Sequence, residues 1–287
     1  MSMFSSELRV RLHSFFHSVQ VLQERTSRST LRSAGIYITL FLGLLASSLV
    51  LHNNLNATDT NLVFVSLQPL FLPLLVCVSL IALYLAIVSS ITVSRERDRA
   101  TLEVLVFGPV NEAAFLWGVF LAQLKIYLTG MVVIFVWANL LTWFLHMAFS
   151  LRIVAMLLTS TVMAAAVIAF GLLTAVWGGH TRTALVYFFM SVLLLSAVQI
   201  GNQILVVVVL ANAQSASGSM LLLRNSLEFL SGIFQWISPL TQFTLCMDAI
   251  ADNAVGAYLL HLGILLIQAG ILFAGSIQIL RRKGVRG

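Results

Sequence analysis

The densest charge in this 287-residue chain is Arg95-Glu96-Arg97-Asp98-Arg99, in a sequence where only 9% of residues are charged and 60% are hydrophobic. After it, Leu102, Leu105, Val106 and Pro109 keep helical spacing, with the charges on the other side. Gly108 suits the residue that follows a helix and Pro109 stops one. Asn111 can cap the next helix, and Glu112 is favourable in its first turn. The pattern describes a short amphipathic helix between two long apolar runs, able to dock on a partner and receive force from it. It describes equally an ordinary charged loop that enforces topology.

Bond-making chemistry is not legible. There is no GxxxxGK[ST] loop to cradle phosphates, no HExxH, no paired-aspartate motif and no nucleophile elbow. His13 and His17 stand at i,i+4, a metal-binding spacing, but no third ligand is near and they are read as ordinary helix residues. Cys77 and Cys246 are far apart in apolar surroundings, without metal or redox spacing.

A second group of candidates is polar and lies inside apolar runs: Gln68, Gln123, Lys125, Asn139, Gln199, Asn202, Gln203 and Gln268. Such groups usually face a bundle interior or a pathway. Most read as interhelical hydrogen bonds, worth ~0.6 kcal/mol each. Lys125, Gln199, Asn202 and Gln203 are the candidates for a translocation path, although Lys125 is also long enough to snorkel to an interface.

The elements that hold these residues are set by composition. So few charges cannot solvate a surface in water, whereas soluble domains average roughly 25% charged residues. In hydrocarbon every backbone polar group must be satisfied internally, which leaves helices or closed barrels. Barrel strands alternate over about 10 residues; the runs here are unbroken, so the expected fold class is all-α. A span needs roughly 20 apolar residues. Six runs qualify, over 34–51, 64–93, 115–145, 153–177, 184–211 and 254–280. His52 to Asn61 reads as a polar loop and Gly178-Gly179-His180-Thr181 as a tight turn. Between 212 and 253 lie two apolar pieces, one carrying Arg224 and Glu228 and the other too short to cross. Both read as short re-entrant helices.

Charge placement supports an even number of spans. Arg9, Arg11, Arg25, Arg28 and Arg32 precede the first span. Arg95, Arg97, Arg99 and Arg182 fall in alternate loops, and Arg281, Arg282, Lys283 and Arg286 follow the last. The positive-inside rule then puts both termini in the cytoplasm, in a multi-pass plasma or inner membrane protein, with only Arg152 and Arg224 outside. The N-terminal stretch lacks the apolar core of a cleavable signal. Its Phe4, Leu8, Leu12, Phe15, Val19 and Leu22 mark one helix face. Residues 1–33 are therefore expected to form a cytoplasmic amphipathic segment, lying in the headgroup layer or packed on the protein itself. Residues 34–287 are expected to form one transmembrane domain.

The stretch Glu96-Arg97-Asp98-Arg99-Ala100-Thr101-Leu102-Glu103, followed by Val104-Leu105 and Pro109-Val110-Asn111, resembles the signature region of type-2 ATP-binding-cassette (ABC) export permeases. That signature runs Glu-Arg-Glu-x-Gly-Thr-Leu-Glu, Leu-Leu, Pro-Val-Ser. The N-terminal helix, the segment Leu31 to Tyr37 and Ser238-Pro239-Leu240-Thr241-Gln242-Phe243 also resemble that family. Ala100 replaces its usual Gly, Val119 stands where it often has Lys, and a large outer domain after the first span is missing. The resemblance implies that residues 96–109 are a coupling helix docking on a separate cytoplasmic ATPase subunit. Glu96, Arg97, Asp98, Arg99, Thr101, Leu102, Glu103, Leu105 and Pro109 would make the contact. It also implies a second permease copy or paralogue, with ATP and Mg held by the ATPase and no cofactor in this chain.

Two other classes stay open. An ion-coupled secondary transporter predicts internal repeats and buried carboxylates, but no clear repeat is visible and nearly all ten acidic residues fall in loops or interfacial pieces. A membrane-embedded lipid-modifying enzyme predicts clustered acidic or His residues at one depth, and none are found. The charge of +6 sits between and beyond the apolar runs, as topology signals do, so no nucleic-acid partner is expected.

Overall fold

The computed structural model describes residues 2–60, 70–98, 111–144, 151–211 and 218–283. Side chains are described throughout these except at 2–13, 56–60, 202–211, 218–225, 227 and 283. The described residues form helices: α1 (Ser2–Arg32), α2 (Ala34–Thr60), α3 (Phe71–Asp98), α4 (Glu112–Phe144), α5 (Leu151–Gly178), α6 (Thr181–Ala211), α7 (Gly218–Ile237), α8 (Pro239–Ala251) and α9 (Val255–Lys283). Six are long and apolar enough to cross a membrane: α2, α3, α4, α5, α6 and α9. The chain is an all-α, multi-pass membrane protein.

Two expected boundaries move. His52 to Thr60 is helical, a continuation of α2, because no Gly or Pro interrupts it. The second spanning helix begins at Phe71, after a turn at Leu70; residues 61–69, including Gln68, lie outside the described residues.

The helix α5 is the hub. It packs on α3, α9, α6, α4 and α8, and 61% of its most apolar stretch is buried, against 11% for α6 and for α9. Its contact with α3 is close because Gly171 has no side chain: a Cβ there would collide with the Ala86 carbonyl and sit 2.8 Å from Ser89 Oγ. Outward-facing positions are apolar in stripes at helical spacing. Tyr37, Phe41, Leu45 and Leu49 mark α2, Val132, Val136 and Leu140 mark α4, and Val186, Met190 and Leu193 mark α6. Soluble monomers rarely expose continuous apolar patches beyond a few hundred Å², and hydrocarbon is the solvent such stripes suit.

One end of the bundle carries its own apolar cluster. Leu22 of α1 joins Val93 of α3, Phe115 and Val119 of α4, Val176 of α5 and Leu280 of α9. The second half of α1 is thus docked on the protein, the second of the two placements the sequence allows. Gly118 makes the room, since a Cβ there would lie 2.7 Å from Leu22 Cβ. Arg25, Arg28, Arg32, Arg95, Arg97, Arg182, Arg281 and Arg282 all belong to this end. At the opposite end, Arg152 Nη2 donates to Asn253 Oδ1 at 2.9 Å and ties the start of α5 to the α8–α9 turn. Asn253 adopts φ +56°, a left-handed conformation that Asn tolerates better than most side chains.

Candidate functional site

The charged run begins where α3 outlasts its apolar stretch, which ends at Val93. Three consecutive side chains there reach three different elements. Glu96, half-buried, pairs with the exposed Arg25 of α1 across 3.7 Å, a long and therefore weak ion pair. Arg97 Nη1 donates to the Val176 carbonyl of α5 at 3.1 Å. Asp98 takes the backbone N–H of Thr181 at 3.0 Å, its hydroxyl at 2.5 Å, and His180 Nδ1 at 2.8 Å.

The signs of these charges match the helix ends they meet. The last carbonyls of α5 carry partial negative charge and receive a guanidinium; the first N–H groups of α6 carry partial positive charge and receive a carboxylate. Each such contact is worth about 0.3–1 kcal/mol. Asp98 does in trans what an N-cap residue usually does in cis. The Thr181 hydroxyl, the Thr181 N–H and His180 hold its carboxyl down to about 2. The turn fits because Gly179, at φ +75°, ends α5 in a left-handed step that glycine adopts freely.

Arg99, Thr101, Leu102, Glu103, Leu105 and Pro109 lie outside the described residues. Both ends of their segment are described. Asp98 fixes one, as above. At the other, Asn111 caps α4 as its position suggests, its Oδ1 accepting from Ala113 N at 3.5 Å and its carbonyl from Phe115 N at 3.1 Å.

Of the four path candidates, the side chains of Lys125 and Gln199 are described, and they stand on different helices, α4 and α6. Lys125 is exposed on α4, beside the exposed Leu128. Gln199 of α6 lines a cavity and donates to Thr241 Oγ1 of α8. The side chains of Asn202 and Gln203 lie outside the described ones. Gln123 is fully buried, and neither polar atom of its amide has a partner among the described residues. Asn139 Nδ2 turns back to the Phe135 carbonyl at 2.7 Å.

A second polar constellation holds the break between α7 and α8. The last carbonyls of α7 would be orphaned there, a costly state away from water. Gln242 Nε2 donates to the Gln235 carbonyl at 2.8 Å, and Gln268 Nε2 donates to the Trp236 carbonyl. Gln242 Oε1 is 2.8 Å from His261 Nδ1 of α9. Ser238 caps α8 through Thr241 N, with Pro239 in the first turn where its missing N–H does no harm. Gln268 stands near the middle of the spanning helix α9, so the break lies deep along that helix rather than at its end. In the sequence, Gln242 stands out only within the family-like segment Ser238 to Phe243, and neither it nor His261 has a legible role. The available signal was the Ser-Pro helix start inside an apolar stretch, which implies carbonyls needing donors.

Among the described residues no group of three or more His, Cys, Asp or Glu side chains could hold a metal ion. No family model matches this chain, and no curated protein matches it.

Proposed function

We propose that this chain is the membrane-spanning permease subunit of an ATP-driven ABC exporter, working with a second copy or a paralogue. A separate cytoplasmic ATPase binds ATP and Mg and hydrolyses ATP, and this chain is not catalytic by itself. The basic end faces the cytoplasm, in keeping with the arginine excess there.

The observation that carries the reading is the attachment of the charged run. Its first residues grip α1, the end of α5 and the start of α6 at once. A push on residues 99–110 would therefore be delivered to the hub helix and to two of its neighbours, α3 and α6. In this scheme Glu96, Arg97 and Asp98 root the coupling segment, and Arg99, Thr101, Leu102, Glu103, Leu105 and Pro109 meet the ATPase.

Co-purification tests it. In mild detergent the chain brings down a soluble P-loop ATPase, and Glu103→Arg weakens that association or uncouples ATP hydrolysis while the chain still folds. Normal coupling in Glu103→Arg removes Glu103 from the contact. Absence of any ATPase partner turns the reading to an ion-coupled secondary transporter.

A further inference from the structure

Between α3, α5, α6, α8 and α9 lies a cavity of about 110 Å³. Its wall is apolar, with Leu83 of α3, Phe170 of α5, Leu195 of α6, Leu240 of α8 and Leu272 of α9. Ser196, Gln199 and Ser238 are the polar lining residues. Two of them are already engaged within the protein, Gln199 with Thr241 Oγ1 and Ser238 with Thr241 N. A buried water wants about 2–4 polar partners, and an apolar cavity of this order stays dry and takes apolar guests. Left empty, the wall would forfeit its dispersion contacts.

The cavity reaches the lipid-facing surface. Ile237, at the α7–α8 break, both lines it and is 55% exposed. The same helices that wall the cavity also carry exposed apolar side chains, Leu193 and Leu194 on α6 and Ile267 and Ile271 on α9. The solvent at that mouth is hydrocarbon, so the filler closest to hand is an alkyl chain, whose entry desolvates no polar group.

We propose that this cavity is a binding site for the end of one hydrocarbon chain of a lipid, which enters beside Ile237 while its headgroup stays outside. The volume suits one chain end and not two. The site stands whether or not the chain is an ABC permease. A resident bilayer phospholipid and a lipid-like cargo share this chemistry, and the test separates them.

The full chain is placed in bilayer nanodiscs with a trace of phospholipid carrying a diazirine near one acyl end, and in parallel with a diazirine fatty acid. After irradiation, adducts are mapped by peptide sequencing. Adducts concentrate at Leu195, Ile237 and Leu240 over the exposed Leu193 and Ile271. Leu195→Trp, which fills the cavity, abolishes that excess. Leu195→Ala, which enlarges it, raises the excess and carries the test if the tryptophan variant does not fold. Leu193→Trp on the exposed face leaves it unchanged. Stronger labelling by the phospholipid identifies a resident lipid, and stronger labelling by the fatty acid a single-chain cargo. Adducts spread evenly over exposed positions with both probes, or a yield indifferent to both Leu195 changes, overturn the proposal.

Discussion

Thr181 gives both its backbone N–H, at 3.0 Å, and its hydroxyl, at 2.5 Å, to one oxygen of Asp98, a residue 83 positions earlier in the chain. The start of α6 is thereby capped by the end of α3. Because the folded carboxyl is held to about 2, below its ordinary value near ~3.9, the cap's contribution is fully present above ~3.9 and is lost as pH falls through about 2. Asp98→Ala should lower stability above that window by about 0.5–1 kcal/mol, the low part of the usual cap range because the site is open to solvent. Thermal unfolding in detergent from about pH 6 to about pH 2 checks it: the curves of wild type and variant should converge as pH falls toward about 2. Parallel curves for the wild type and the variant across that range would remove Asp98 from the cap.

The α3–α5 contact should tolerate no side chain at Gly171, since the Ala86 carbonyl in its way is backbone. Gly171→Ala is expected to cost about 1–3 kcal/mol by overpacking. Gly201→Ala is the control: it meets nothing within 4 Å, and alanine is the better helix former. Melting temperatures of the two variants should move in opposite directions or differ clearly.

Gly118→Leu should undock the second half of α1 from α4, because Leu22 and the backbone of Val19 lie against that position. Trypsin reads the change. Arg25 and Arg28 are exposed but held in a helix, and cleavage there should accelerate in the variant while the spanning helices stay intact.

Gln268→Leu should leave the Trp236 carbonyl without its donor deep along α9, at a cost of about 1–3 kcal/mol. Amide exchange in the last turn of α7 should rise with the loss of stability. Tyr127→Phe is a milder comparison, because Ser160 still donates to the Leu157 carbonyl when the tyrosine hydroxyl is gone.

Much of the fold was legible, and for a plain reason: long apolar runs with few charges leave a chain only one way to satisfy its backbone in hydrocarbon. The six long helices and the cap at Asn111 follow from local pattern. The extension of α2 through His52 to Thr60 did not, because polar residues end an apolar run without ending a helix. The partners of Glu96, Arg97 and Asp98 were invisible for another reason. Periodicity assigns a side chain to a face, but Arg25, Val176 and Thr181 lie dozens of residues away, and only packing selects them. The partner of Gln199, Thr241 of α8, was likewise beyond the reach of local pattern.

The central claim is that residues 99–110 receive the force of a cytoplasmic ATPase. The most direct measurement replaces Glu103 with a photo-crosslinking amino acid in the full chain and irradiates intact cells. The account predicts an adduct whose partner is a soluble P-loop ATPase, and no reaction of Glu103→Cys with a membrane-impermeant thiol reagent added outside. Labelling of Glu103→Cys from outside, with no ATPase adduct at that position, would contradict it.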